Sequence, residues 1–181
     1  MGNKAAFALF GMSGLLILFA TYVSFLPDLL ESKAEVNVKA SKGDILTYLS
    51  RAEDWSEWLF HPDVKSSSSW RIMNAGKTSG EGSVLKWFSE SIGDGGLEIK
   101  KIKDDLIVFE RISDNGAFED RGYLYLIPTD SSTTIKLIDS LSIKSNVIAR
   151  YDAQDDSYIQ HIDSINLEVL KRLKMNLEVQ K

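Results

Sequence analysis

The longest unbroken apolar stretch of the chain comes first. From Ala5 to Leu26 it reads AAFALFGMSGLLILFATYVSFL, with no charged residue. As a helix this run extends roughly 33 Å at about 1.5 Å per residue, enough for a hydrocarbon core of about 30 Å. No polar stripe runs along it, which argues against a helix buried on one face only. It is long for the apolar part of a cleaved leader, and TYVSFLP is a poor small-x-small cleavage site. The pattern predicts an uncleaved, single-span transmembrane helix over residues 5–26 and a polar connector, PDLLESKA, over residues 27–34. MGNKAA begins like a myristoylation signal, but Ala6 stands where Ser or Thr is required. Lys4 and the free amine ahead of the span favour a cytoplasmic N-terminus. The bulk of the chain then lies on the exported side, periplasmic or extracellular. Lys33, Lys39 and Lys42 beyond the span keep that margin small.

After the connector the pattern changes to short periods. EVNVKA, Glu35–Ala40, alternates as a strand does. Ser41 is placed as an N-cap with Asp44 three positions on, opening a helix over Lys42–Arg51 with Ile45, Leu46 and Leu49 on its apolar side. Glu53–Leu59 reads as a second short helix, ended by His61-Pro62. Six strands follow: Trp70–Asn74, Gly82–Ser89, Gly96–Ile102, Leu106–Ile112, Phe118–Ile127 and Thr133–Ser142. The breaks between them (NAGKTSGEG, GDGG, KDD, SDNG, PTDSS) are turn-forming, as in an antiparallel meander. Ile135, Leu137, Asp139 and Leu141 share one strand face, and Leu85 and Trp87 share another. A long helix, Asp155–Glu178, closes the chain with an apolar stripe through Ile159, Ile162, Val169, Leu173 and Leu177.

The predicted class is α+β: a curved antiparallel sheet of about six to seven strands wrapped round a long C-terminal helix. Sheet and helix each have one apolar face to bury, and each covers the other. Such a pairing leaves room for a cavity between them.

Composition narrows the function classes. The 181 residues are 44% hydrophobic and 26% charged, values of a globular chain rather than a disordered one. Net charge is −5 without a run of Lys or Arg, so the electrostatic footprint of a nucleic-acid binder is absent. There are no cysteines and only two histidines, His61 and His161, which excludes thiolate metal sites and disulfides. No nucleophile elbow, zincin motif or phosphate loop is present, and GEG and GDGG read as hairpin turns. No cofactor, metal or catalytic set is expected on these grounds.

Four pieces carry a resemblance: VNVKASKGDILTYLSRAEDWSEW, GEGSVLKW, GGLEIKKI and DSINLEVLKRLK. Their order resembles the START-like superfamily, also called SRPBCC or helix-grip, and within it the bacterial polyketide cyclase/dehydrase-type branch. It covers about Glu35 to Glu178. The resemblance implies an interior pocket for a lipid, sterol, polyketide or other apolar ligand. It does not choose between binding proteins, transfer proteins and cyclases, and a membrane span is an addition to its usual pattern.

The candidate ligand-binding residues are Trp55, Trp58, Leu85, Trp87, Leu97, Ile99, Leu124, Leu137, Asp139 and Ile162. Trp55 and Trp58, at i and i+3, share a helix face and suit either a pocket wall or a core staple. Asp139, a polar group on an apolar face, suits ligand orientation or a solvated strand end. His61 reads as a loop residue and His161 as a core-edge or solvated residue of the closing helix. Arg111 and Arg121 read as cross-strand partners of Glu110, Glu119 or Asp120, in surface pairs of small energetic weight. The leading expectation is a membrane-anchored, non-enzymatic domain that binds a hydrophobic ligand or lipid, with no nucleic-acid partner and no identified protein partner. A cyclase- or hydratase-like enzyme and a protein-interaction module are the alternatives.

Overall fold

In the computed structural model the described residues are 2–113, 118–144 and 146–179; side chains are described for residues 11–113, 119–144 and 146–179. A helix, α1 (Gly2–Ser24), leads into β1 (Leu29–Val38). Next come α2 (Lys42–Leu49), a 3-10 turn (Ala52–Trp55), and two one-turn helices, α3 (Ser56–Leu59) and α4 (Pro62–Lys65). Six strands follow: β2 (Arg71–Gly76), β3 (Ser83–Phe88), β4 (Gly95–Lys103), β5 (Leu106–Ser113), β6 (Phe118–Pro128) and β7 (Thr133–Ser142). Two helices end the chain, α5 (Val147–Asp152) and α6 (Asp156–Val179).

The seven strands form one antiparallel sheet in the order β1-β7-β6-β5-β4-β3-β2. The expected meander and closing helix are both present. Alternation sets the two faces: in β7 every other residue from Thr133 to Asp139 is buried. The inner face, with Leu85, Leu97, Ile99, Ile107, Leu124, Leu126 and Ile135, packs under α2, α3 and the second half of α6 as the main core. α6 runs alongside β1, held at three levels. Asp163 accepts from Ser32 Oγ (2.7 Å) and Lys33 N (2.8 Å), Lys174 donates to the Asn37 carbonyl (2.8 Å), and Glu178 accepts from Lys39 N (3.0 Å).

Three elements differ from the sequence reading. β1 begins at Leu29, so residues 29–34 of the expected connector are strand. Ser32 disguises it: a serine on the buried face is tolerated because it donates to Asp163 and accepts from Asn166 Nδ2 (2.9 Å). Pro62 does not merely end a helix; it opens α4 at its first turn, where its missing N–H costs nothing, with His61 as N-cap. α5 has no counterpart in the sequence pattern. It packs Ala149 and Ala153 with Leu30 and Ile143 into a second, smaller core under the start of α6, which Ile159 and Ile162 join.

α1 projects from this body. Met12, Leu15, Leu16, Ile17, Leu18 and Phe19 are all exposed, and Leu26 is the first buried side chain after it. Among the described residues no helix is long and apolar enough to cross a membrane. The expected span over residues 5–26 therefore finds no support among the described residues.

Candidate functional site

Register places seven strand positions in one row across the sheet: Leu29, Ser142, Glu119, Ile112, Gly96, Lys86 and Met73. The row marks the end of the sheet at which the chain arrives from α1. On the inner side of this end lies a cavity of about 680 Å3. Its walls are Leu59 and Phe60 after α3, Trp87 and Ser89 at the end of β3, Arg111 and Ser113 at the end of β5, and Ile165, Asn166 and Val169 of α6. The turn Ser89–Gly93 forms its rim.

The interior next to the cavity is filled by aromatic rings. Trp55 packs on Trp58 and on Phe109, each at a centroid distance of 5.0 Å, and Phe60 bridges Trp70 (4.7 Å) and Trp87 (5.0 Å). Two glycines make space for these rings. A Cβ on Gly122 would lie 1.9 Å from Phe109 Cζ, and one on Gly95 would lie 2.2 Å from Trp87 Cζ2. Trp55, Trp58 and Phe109 thus fill the interior beside the cavity, while Phe60 and Trp87 form its boundary.

Arg111 is the cation in the cavity wall, with Glu90 on the rim. It is paired in register with Asp120 on β6, and its guanidinium reaches Asp120 Oδ2 (Nε, 2.8 Å; Nη2, 2.6 Å) and Asp139 Oδ2 (Nη2, 3.0 Å). Both aspartates are buried. Two acids sharing one cation leave the group one negative charge in excess. Burial pushes Asp120 up to about 6, with Asp139 adding to the rise and Arg111 opposing it. Burial also works against the Arg111 charge, but the two carboxylates outweigh it and raise its pKa. The second oxygen of each aspartate has no hydrogen-bond partner among the described residues, nor has the indole N–H of Trp87.

Of the residues expected at a ligand, Trp87 lines the cavity and Asp139 stands behind its wall, on Arg111. Trp55, Trp58, Leu85, Leu97, Ile99, Leu124 and Leu137 lie in the main core. Ile162 is half-buried against the smaller core. Sequence reading missed Arg111 as an interior residue, and with it Asp120, Ile165, Asn166 and Val169. The inward phase of β5 was visible, since Ile107, Phe109 and Arg111 alternate, and that signal would have found Arg111. The exposed pair expected on Arg121 is present, with Glu110. His61 is exposed and occupied with α4, and His161 is exposed. Among the described residues no group of His, Asp or Glu is placed to hold a metal ion.

A second hollow, about 960 Å3, lies at the same end of the sheet, with outer-face residues such as Val84, Lys86, Glu98, Arg121 and Tyr123 in its walls. Arg111 and Asp120 border it too, so the buried ion group separates the two.

No protein-family model matches the sequence, and no curated protein matches it. Solved structures do match. A Thermus thermophilus protein, TTHA0849, aligns over 83% of this chain and 99% of its own at 13% identity, with a TM-score of 0.58. DynU16, a protein of the dynemicin biosynthetic locus, aligns over 86% of this chain at 16% identity and a TM-score of 0.56; the alignment spans about half, 49%, of its length. Truncated norcoclaurine synthase from Thalictrum flavum aligns over 78% of this chain and 92% of its own at 16% identity, with a TM-score of 0.53. At these identities the likeness shows the fold, the helix-grip fold expected from the sequence, and nothing finer.

Proposed function

We propose that this chain is a membrane-anchored, non-enzymatic binding domain that holds an apolar ligand in the cavity between β3, β5, Leu59-Phe60 and α6. The observation that carries the reading is the position of that cavity. It sits at the end of the sheet where α1 enters, walled by Trp87, Phe60, Ile165 and Val169 with Arg111 as a polar element. Ser89, Glu90, Ser91, Ser113 and Asn166 add further polar groups to the lining, and apolar walls with convergent polar groups are the usual make-up of a small-molecule site. Anchoring rests on the uncharged run Ala5–Leu26 and on the exposed apolar side chains of α1, which no other part of the chain covers among the described residues. A tether of this kind would hold the mouth near the phase into which apolar ligands partition.

The full chain, extracted into phosphatidylcholine nanodiscs and then denatured, should release a retained apolar molecule detectable by mass spectrometry. Release of none would sink the binding reading. A reporter active in only one compartment, fused at the C-terminus, should be active on the exported side.

One observation favours a second reading, an enzyme of the cyclase or hydratase kind. Asp120 is held at about 6, in the range useful for proton transfer, behind a cavity-lining arginine. An isolated ligand that the protein converts, with Asp120→Asn retaining the ligand but losing conversion, would establish this reading over the first.

A further inference from the structure

The segment joining α1 to β1 is not a free linker. Arg150, on α5, is buried and donates to two carbonyls of the segment ahead of β1: Nη2 to Leu26 O (2.7 Å) and Nε to Pro27 O (3.1 Å). It also pairs with Asp28 (2.9 Å). The Asp28 carbonyl accepts from Ile143 N (2.9 Å), and Gln154 Nε2 donates to the Tyr22 hydroxyl (3.3 Å). α5 is therefore fixed beside the exit of α1.

Its two faces differ. Ala149 and Arg150 point into the body, whereas Val147 (41% exposed), Ile148 (74%) and Tyr151 (60%) point out. These three lie on one side of the helix, at i, i+1 and i+4. Phe25 (81% exposed), directly after α1 in the clamped segment, adds an exposed aromatic ring ahead of Leu26. The nearby charges are mostly acidic, with Asp152, Asp155 and Asp156 against Lys144, so attraction to anionic lipid does not account for the patch.

We infer that α5, with Phe25, is a membrane seat: its outer face lies in the boundary between lipid headgroups and acyl chains, and Arg150 sets it at a fixed position relative to α1. The inference rests on the reading of α1 as an anchor. Lipid is the occupant because the patch continues directly from α1, and because an aliphatic and tyrosine face of this kind suits the interface. The seat would hold the cavity end of the sheet toward the bilayer.

The chain has no cysteine, so single cysteines can be introduced and spin-labelled cleanly. Three full-length variants in phosphatidylcholine nanodiscs form the test: Leu16→Cys in α1, Ile148→Cys in α5, and Asp130→Cys in the β6–β7 turn at the opposite end of the sheet. Collision rates with oxygen, which enters lipid, and with a polar nickel complex, which does not, are compared at each site. The expected result is a several-fold higher oxygen-to-nickel ratio at positions 16 and 148 than at 130. A lipid-like ratio at 16 with a water-like ratio at 148 would overturn the seat and leave the anchor intact. A water-like ratio at 16 would overturn both. Low rates with both reagents at 148 would mean protein contact, and would overturn lipid as the occupant.

Discussion

Arg111 carries more of the molecule than its place in a charged-looking strand suggests. It pairs with two buried carboxylates at once, and removing it takes that cation from both. Arg111→Ala should lower stability by about 3–5 kcal/mol, measured by denaturant unfolding, because an unpaired buried charge costs far more than an exposed pair contributes. Asp120 makes a separate prediction. Its folded pKa, about 6, lies above the ordinary 3.8. The folded state therefore takes up the proton first, and the resulting stability is fully present below about pH 4 and lost as pH rises through about 6. Asp120→Asn, which stays neutral throughout, should become more stable relative to wild type as pH rises from 4 to 7. A difference that does not change with pH would refute this. Gly122 offers a third test. Gly122→Ala drives a methyl group into Phe109, whose ring is backed by Trp55. It should cost about 1–3 kcal/mol by overpacking, with much of the loss restored when Phe109→Leu is added.

At the scale of elements, short pieces are held by long side chains from elsewhere. α3 is a single turn, too short to satisfy its own last carbonyls. Arg172 of α6 does so, donating to Trp58 O (2.9 Å) and Leu59 O (3.3 Å). Arg172→Met keeps the aliphatic stem and removes the donors. It should destabilise the protein by about 1–3 kcal/mol and speed amide exchange around residues 58–60, the wall of the cavity. Helix α2 shows the opposite case, an end that the local sequence settles by itself. Ser41 accepts from Asp44 N (3.2 Å) and is the N-cap that the spacing predicted. α5 escaped prediction because its burial depends on β1 and β7. Ala149 and Ala153 are not core-like residues until Leu30 and Ile143 are brought over them.

For the whole molecule, the consequence is a helix-grip interior in which packed aromatic rings lie beside an open volume at the α1 end. Ile165, 47% exposed at the mouth, can be enlarged without entering the core. Ile165→Trp should leave unfolding unchanged and lower retention of the bound molecule at least about tenfold, the equivalent of about 1.4 kcal/mol. Unchanged retention would mean that the ligand does not use this opening.

Strand periods, turn residues, the Ser41 cap and the apolar stripe of α6 are local patterns, and the sequence alone carried them into an α+β fold with a closing helix. That order of elements was legible because side-chain period and backbone type are tied together over a few residues. The site was not. Arg111, Asp120 and Asp139 come from three strands and meet only through register; a one-residue slip of β5 would put the guanidinium on the outer face. Whether Trp55, Trp58 and Trp87 wall a cavity or fill one depends on Gly122 and Gly95, which give the rings and their neighbours room on the opposite strands. Charge pairing and free volume are properties of what lies across the interior, and only the tertiary structure decides them.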